Sequence, residues 1–452
     1  MVTQKEIQDL EKSSVKLTVT VAGDEAKKKY DELLQKYAKT AHIKGFRKGK
    51  VPTAILEQKF GEGILQEATI EIIDESLKEV IEDVEKKPLP YAQPRLAEED
   101  EVQLELGKDF TYQVIYDVYP EFEIGEYKGL EIEVPDVKIT KKDEDRELKN
   151  IQDQNSMVVE KKEGAVEKDD IVTIDYAELD EQDKEKEGSS RSDFVFTVGT
   201  GYNIFKLDDD ILGMKKGEEK IFDKEFPEDF EHEEYAGEKA RIKVSIKTIK
   251  EKDIPALDDE LAQDVSEKYK TLDDLKKDIR KNLDQSLEQK LRETKIEKLF
   301  DQIIESSPID LPESMIEAEL ENSWRNFISQ SRIGEEQVLQ ILATQGKGRE
   351  DMFTEWRPNA ERSLKFQLLV EKIRETEKIE ASDEEALEEL KKQSEQSNQD
   401  FETVKEQYEK NNLMEYVKTD VQNRKLFDFM LEQSKIKKGK KLGYLDFVQN
   451  NN

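Results

Sequence analysis

Apolar and polar residues alternate in two short runs near the start of the chain, the pattern typical of half-buried strands. The runs lie at residues 15–21 and 110–118, and Pro120 closes the second. Between them, apolar residues recur at helical spacing. This spacing predicts one helix capped by Asp24 and a second helix over about residues 62–86, which ends before Pro88 and Pro90.

The next part of the chain becomes rich in predicted strands. Residues 130–135 predict a short strand, and Thr140 is placed to begin a charged helix that continues to about Met157. From residue 166 to residue 250, three strand-like runs alternate with glycines that mark turns. The runs cover residues 172–176, 194–198 and 240–249. Strands concentrated in one block predict a separate β-rich domain.

After Pro255 the pattern is helical almost to the end of the chain. Thr271 with Asp274, and later Ser382 with Glu385, have the spacing of capping boxes at helix starts. Breaks are expected at Pro308 and Pro312, and residues 401–431 are predicted to form a helical segment. Residues 435–452 are expected to be a frayed, polar end. We find no repeat of fixed period.

These patterns predict an α+β multidomain fold with an α+β head, a β-rich domain and a long all-α body. The expected divisions are a head at 1–118, a connecting segment at 119–160, the β-rich domain at 161–252 and the helical body at 253–452. Frequent helix breaks and leucines spaced four apart in Leu275–Leu291 argue against a coiled-coil scaffold, the least favoured alternative.

Composition limits what such a chain can bind. It has 452 residues, 40% of them charged, and a formal net charge of −34, so as a whole it repels nucleic acid and anionic membranes. It has no cysteine, and its two histidines, His42 and His232, lack the spacing of metal or triad sites. Neither a signal peptide nor a membrane span is visible, so we expect a cytoplasmic protein with no membrane partner.

One window runs against this acidity. Residues 33–56 contain no Asp or Glu but hold six cations, and at their centre lies Gly45-Phe46-Arg47-Lys48-Gly49-Lys50-Val51-Pro52. Two glycines permit a tight turn, and Pro52 restricts its exit. Such a turn presents one aromatic side chain among cations, which suits the phosphates of RNA. Spacing alone favours an ordinary basic turn with an anchoring Phe over a binding site.

This octapeptide resembles the ribosome-binding signature of the trigger factor family, bacterial chaperones that act at the ribosome. The order of head, β-rich domain and helical body extends the resemblance over nearly the whole chain. It implies docking on the large ribosomal subunit, on protein and ribosomal RNA beside the nascent-chain exit. The implied docking residues are Gly45, Phe46, Arg47, Lys48, Gly49 and Lys50. The implied partners are unfolded nascent polypeptides, kept open for folding or export, with a homodimer left open for the free molecule.

The β-rich domain resembles FKBP-type prolyl isomerases in Val166–Tyr176, Gly213–Glu218, Phe226–Phe230 and Ala236–Ala240. Twisting a prolyl bond needs an apolar cleft but no nucleophile, metal or cofactor. The implied cleft residues are Tyr176, Ile204, Leu207 and Phe230. The sequence departs from the family at Leu207, which replaces an aromatic residue, and at the polar segment 183–190. Either a slow isomerase or a binding module that kept only the fold remains open.

The helical body is expected to leave part of its apolar surface open to clients. The candidate client-binding residues are Met315, Trp324, Phe327, Met352, Phe353 and Trp356. Residues 346–349 lack the spacing of a phosphate-binding loop, so we expect holding and release without ATP. The alternative function is a free prolyl isomerase whose other domains only recruit substrate.

Overall fold

The computed structural model describes residues 1–44, 46–47, 49–97, 104–180, 182–228, 230, 235–397 and 399–449. The chain divides into two compact units, each built from two stretches of sequence. The first consists of Met1–Val134 and Arg292–Lys438, and the second of Pro135–Leu291 and Gly439–Asn452. No helix in the described part of the chain has the length and apolar character needed to cross a membrane.

The strands are, in chain order, β1 (Val2–Asp9), β2 (Ser14–Val21), β3 (Arg95–Leu96), β4 (Phe110–Asp117), β5 (Glu131–Lys138), β6 (Met157–Glu160), β7 (Ile171–Leu179), β8 (Arg191–Thr197), β9 (Glu219–Glu225), β10 (Lys239–Asp253) and β11 (Lys435–Gly443). The helices are α1 (Gly23–Thr40), α2 (Thr53–Asp83), α3 (Lys141–Gln154), α4 (Asp259–Val265), α5 (Leu272–Ser306), α6 (Glu313–Ser331), α7 (Glu335–Thr344), α8 (Arg349–Thr376), α9 (Asp383–Gln396), α10 (Phe401–Lys410), α11 (Met414–Gln433) and α12 (Tyr444–Gln449).

The head of the first unit is an antiparallel sheet with strand order β1-β2-β4-β3, against which α1 and α2 pack. The alternation predicted for β2 is confirmed, because Val15, Leu17, Val19 and Val21 are all at most 1% exposed. Inside this core the Ser76 and Tyr112 hydroxyls are hydrogen-bonded at 2.7 Å, which satisfies both buried groups.

The rest of the first unit is helical. Ser382 accepts a hydrogen bond from Glu385 N–H at 3.2 Å, and Ser382 N–H donates to the Glu385 carboxylate at 2.8 Å, so this capping box is confirmed. Besides these helices, β5 and β11 pair as a two-stranded sheet. Where this pairing begins, the Lys435 N–H of β11 donates to the carbonyl of Leu130, the residue before β5, at 2.8 Å.

The second unit holds an antiparallel sheet of order β6-β10-β7-β8, in which β9 also pairs with β10. Val172 and Ile174 of β7 and Val244 and Ile246 of β10 are fully buried in its core. A separate core lies between α3, α4 and α5, where Leu275 and its neighbours form the apolar stripe expected from the sequence. The mixed α+β fold class is therefore confirmed.

Several local predictions are wrong. Ala22, not Asp24, is the N-cap of α1, and no side chain caps that end. Helix α2 begins at Thr53, well before residue 62. The helix opened by Thr140 ends at Gln154, because Met157 already belongs to β6.

The last 50 residues differ most from expectation. The segment 401–431 is not one continuous helix, because α10 ends and Asn412 adopts a φ of +55° before α11 begins. The tail is not frayed over its described part. It forms β11 and α12, and Tyr444 and Phe447 are 7% and 1% exposed in the core with α5. The apolar residues that anchor this end are few and follow a run of lysines, so the sequence pattern did not reveal their burial.

Candidate functional sites in the head, the isomerase-type domain and the helical body

The predicted docking loop connects α1 to α2 in the head. Ile43 before it and Val51 after it are 6% and 5% exposed and join the head core. Pro52 is the N-cap of α2, so the helix starts as soon as the loop ends. Two apolar residues therefore fix the base of the loop, while the described residues between them are exposed.

The tip of this loop is a turn with an exposed aromatic residue. Phe46 N–H donates to the Ile43 carbonyl at 3.1 Å, and Lys50 N–H donates to the Arg47 carbonyl at 2.9 Å. Gly49 has a φ of +77°, a conformation that favours glycine. Phe46 is 38% exposed, and Arg47, Gly49 and Lys50 are exposed as well. The predicted docking residues Gly45 and Lys48 lie outside the described residues.

The described cations around the tip differ in their pairing from other lysines of the head. Among the residues that the structure describes, no carboxylate pairs with Lys36, Lys39, Lys44, Arg47 or Lys50. Other lysines of the same head do pair: Lys29 with Glu71 at 3.2 Å, and Lys86 with Asp9 at 2.8 Å. The positive charge of the loop therefore remains available to an external anion.

A cavity of about 350 Å³ opens on the isomerase-type domain of the second unit. Its lining includes Tyr176 and Ile204, two of the four predicted cleft residues, together with Phe194 and Arg191. The Tyr176 and Phe194 rings meet edge to face, with centroids 5.6 Å apart. This arrangement forms an apolar wall of the kind that can desolvate a peptide bond.

The other two predicted cleft residues lie elsewhere. Leu207 is fully buried in the domain core and does not line the cavity. Phe230 is half-buried and packs on Phe226, with ring centroids 4.6 Å apart. Phe205, which we did not single out, is 2% exposed and packs against Tyr176 at 5.3 Å. It supports the wall from behind.

Sequence reasoning also missed Phe194 and Arg191 as lining residues. The antiparallel register explains why both reach the cavity, since Phe194 pairs with Ile174 and Arg191 pairs with Tyr176 across β7 and β8. Their proximity to Tyr176 depends on strand pairing. The alternating pattern around residue 194 was visible in the sequence, but its partner strand and register were not.

A buried carboxylate, Asp208, holds the loop beside the cavity. It accepts hydrogen bonds from Gly199 N–H at 2.7 Å, Gly201 N–H at 3.2 Å and the Asn203 side-chain amide at 2.6 Å. Burial raises the pKa of Asp208, but these donors stabilise the charged form more strongly. The pKa of Asp208 is therefore below its ordinary value.

The candidate client residues of the helical body are partly interior. Met315 and Trp324 are only 7% and 2% exposed, whereas the other four candidates are half-buried. Those four pack around Trp324 with Val338 and Leu342. The Trp324 indole N–H donates to Glu335 at 2.7 Å. These contacts make Trp324 the centre of a small core.

The outer side of this small core faces a groove between α6 and α8. The groove has a volume of about 410 Å³, and Phe327 and Trp356 form its aromatic part. Most of its remaining lining is uncharged and polar, including Asn326, Gln330 and Asn359. Side-chain amides both donate and accept hydrogen bonds, so they can pair with the main chain of an extended polypeptide.

Comparisons with known proteins agree over the whole chain. A family model described as bacterial trigger factor protein matches residues 3–151, and the model of its C-terminus matches residues 271–432. A model described as FKBP-type peptidyl-prolyl cis-trans isomerase matches residues 162–252. The three matches follow the head, the β-rich domain and the helical body in order.

Relatives of full length carry the same name. The trigger factor of Treponema denticola is 41% identical over 449 residues, which cover 99% of each chain. Those of Borrelia garinii subsp. bavariensis and Borreliella afzelii are 38% and 37% identical, again over 99% of each chain. The chain therefore belongs to the trigger factor family.

Proposed function

We propose that this chain docks on the large ribosomal subunit through the α1–α2 loop, with Phe46, Arg47 and Lys50 as its described contacts. As a member of its family, the chain is a ribosome-associated chaperone of nascent polypeptides. The proposal concerns which residues of this chain make the contact. We add Gly49 as the turn residue and extend the proposal to Gly45 and Lys48, which complete the octapeptide. The working compartment is then the cytoplasm, where ribosomes translate.

The observation that carries this proposal is the unpaired positive charge around Phe46. A chain of net charge −34 is repelled by ribosomal RNA as a whole, so docking requires a local exception. The loop supplies that exception, because its cations pair with no described carboxylate and it projects from a fixed base. Phosphate contacts would position the head, and Phe46 would bury its ring in a pocket of the exit region.

Co-sedimentation with ribosomes tests the proposal. We expect the triple variant Phe46→Ala, Arg47→Ala, Lys48→Ala to lose at least about tenfold in ribosome affinity, since it removes an aromatic anchor and two phosphate contacts. Ribosome binding by the wild type should weaken as the salt concentration is raised from about 50 to 200 mM.

The matched control is Tyr91→Ala, Arg95→Ala, Lys87→Ala, which likewise removes one aromatic residue, one arginine and one lysine from another exposed part of the head. It should bind ribosomes like the wild type. Equal affinity of the loop variant and the wild type would overturn the proposal. It would also favour the alternative of a free prolyl isomerase, for which the loop has no role.

We propose that clients contact the groove between α6 and α8, through Phe327 and Trp356, with Met352 and Phe353 at its side. Half-buried aromatic rings beside amides suit chains of many sequences, because they bind apolar side chains and backbone together. Met315 and Trp324 hold this surface from inside. No nucleotide is needed, so release depends on the client folding or leaving.

We propose that the cavity at Tyr176 and Ile204 binds polypeptide segments and twists prolyl bonds slowly. The aromatic wall supports binding, whereas the placement of Leu207 in the core leaves the cavity with fewer aromatic rings than the family pattern implies. We also propose four functional divisions of the chain: the docking head at 1–118, the connecting segment at 119–160, the isomerase-type domain at 161–252 and the helical body at 253–452.

We also propose that the free molecule pairs with a second copy. The strand β1 lies at the edge of its sheet and is exposed along most of its length, with Ile7 38% exposed. An open strand edge favours strand association. Light scattering on the purified chain should give twice the monomer mass, and a monomer mass at all concentrations would contradict this.

A further inference from the structure

The cavity of the isomerase-type domain is lined with positive charge. Arg191 and Lys206 are its only charged lining residues in the part of the domain that the structure describes. The chain as a whole has 107 acidic and 73 basic residues, so a lining with two cations and no described acid runs against its composition. The charge of this lining therefore indicates an occupant that carries a negative charge.

Arg191 is held at the cavity by an aromatic ring. Its guanidinium carbon lies 4.8 Å from the centroid of the Phe194 ring, close enough for a cation–π contact. Phe194 in turn packs on Tyr176, so the cation and the apolar wall form one surface. The side chain is exposed, yet this contact limits where it can point.

Arg191 also has no acidic partner among the described residues. Arg241, on β10 of the same sheet, shows the opposite case, because it pairs with Asp223 at 3.1 Å and also with Asp183. A guanidinium is built to hold a carboxylate through two parallel hydrogen bonds. The difference leaves Arg191 able to bind a carboxylate from another chain.

Lys206 brings a second positive charge to the same lining. It has a φ of +48°, and its ammonium donates to the Gly201 carbonyl at 3.2 Å. This contact keeps the ammonium beside the loop that Asp208 holds in place. Lys206 is therefore a second cation in the lining of the cavity.

We propose that this cavity prefers polypeptide segments in which an acidic residue adjoins the prolyl or apolar residue that fills it, and that Arg191 sets this preference. The inference rests on the proposed function of the cavity as a polypeptide-binding cleft. The prolyl or apolar side chain would lie against Tyr176 and Phe194. The neighbouring carboxylate would accept hydrogen bonds from Arg191.

Two peptides that differ by one isosteric change test this preference: Ala-Glu-Pro-Phe and Ala-Gln-Pro-Phe, each with blocked ends. Binding to the full chain is followed by the amide resonances of Gly201 and Asn203, and cis–trans exchange of the prolyl bond is measured separately. We expect the wild type to bind the Glu peptide roughly three- to tenfold more tightly than the Gln peptide.

The variant Arg191→Gln should bind both peptides equally, and Arg191→Glu should prefer a third peptide with Lys in place of Glu. The matched control Lys184→Gln removes the same charge from the exposed connection between β7 and β8, away from the cavity lining, and should keep the Glu preference. Arg191 is exposed, so these variants should fold, which their amide spectra will show.

Equal binding of the two peptides by the wild type would overturn the inference, as would a Glu preference that survives Arg191→Gln. In both cases the cavity would remain a polypeptide-binding cleft. If neither peptide shifts the Gly201 and Asn203 resonances, the cleft itself fails and the inference falls with it. Binding without any acceleration of exchange would leave the preference standing and remove only the isomerase activity.

Discussion

The docking loop of the head and the cavity of the isomerase-type domain both present aromatic and cationic side chains, but they are built differently. The loop takes its functional residues from one continuous octapeptide, between the two buried anchors Ile43 and Val51. The cavity takes Tyr176, Arg191 and Ile204 from two strands and a later loop. One site is a local sequence feature, and the other exists only after the sheet has formed.

Because of this difference, the exposed side chains of the loop can be changed without loss of stability, whereas the apolar wall of the cavity cannot. In the loop, the exposed residues contribute little to the core, so they can be changed without unfolding the head. In the cavity, the lining shares its support with the domain core, because Phe205 of that core packs against Tyr176 of the lining. Substitutions in the two regions should therefore have very different effects on folding.

The largest expected effect comes from Leu207→Ala in the core of the isomerase-type domain. Leu207 is fully buried, so we expect a loss of about 2–5 kcal/mol in the free energy of unfolding of that domain. Phe46→Ala should change the stability of the head by less than about 0.5 kcal/mol. Amide hydrogen exchange of β7 and β10, compared with that of β2 and β4, measures both.

The chain provides an internal control for this comparison. Both of its tryptophans, Trp324 and Trp356, lie in the helical body, so their fluorescence should report an unchanged transition in the Leu207→Ala variant. Leu212→Ala, at a 43% exposed position, should cost far less than Leu207→Ala. A cost at Phe46 as large as that at Leu207 would remove the distinction between the two regions.

A smaller effect is expected where backbone conformation limits the docking loop. Gly49 has a φ of +77°, and a Cβ there would lie 3.7 Å from the Lys39 carbonyl oxygen, so Gly49→Ala meets strain without a clash. We expect it to destabilise the head by about 1–2 kcal/mol. Urea unfolding followed by far-ultraviolet circular dichroism measures the change.

Gly63→Ala is the matched control for this substitution. Gly63 lies inside α2, and no atom lies within 4 Å of the position a Cβ would take. Alanine is the better helix former, so this variant should be more stable than the wild type by about 0.5–1 kcal/mol. A Gly49→Ala variant that is as stable as the wild type, or more stable, would contradict the positive φ of Gly49.

The smallest expected effect is the loss of the Asp208 contribution to stability at acidic pH. The pKa of Asp208 is lowered in the folded domain, so its contribution to stability is complete above the unfolded value of about 3.9 and is lost as pH falls through the folded value. We expect Asp208→Asn to destabilise the domain near neutral pH, and this difference should shrink below about pH 4.

Unfolding curves of the wild type and Asp208→Asn at several pH values measure this convergence. The control Asp209→Asn makes the same charge change at the neighbouring exposed position and should track the wild type near neutral pH. A difference between wild type and Asp208→Asn that stays constant with pH would show that the loop beside the cavity does not depend on the Asp208 charge.

The sequence predicted the turn between α1 and α2 and the main strands because their signals are local. The alternation at Val15–Val21 and the capping boxes each lie within a few residues, so no tertiary information is needed. The family resemblance rested on a contiguous octapeptide for the same reason.

What the sequence missed depends on contacts between distant residues. Strand β1 is almost entirely exposed, so it has no buried alternation to read, and it forms only because β2 pairs with it. Arg191 reaches the cavity through its register with Tyr176. Tyr444 and Phe447 pack on α5 from the far end of the chain, where the surrounding lysines suggested a loose tail.

The pairing of β11 with β5 sets a schedule for synthesis. The carbonyl of Leu130 receives the N–H of Lys435, which the ribosome adds about 300 residues later. At roughly 5–20 residues per second, β5 waits about 15–60 s for its partner. During that interval the growing chain has an unpaired strand edge of its own. A protein that protects unfinished polypeptides thus leaves one of its own strands without a partner until Lys435 has been added.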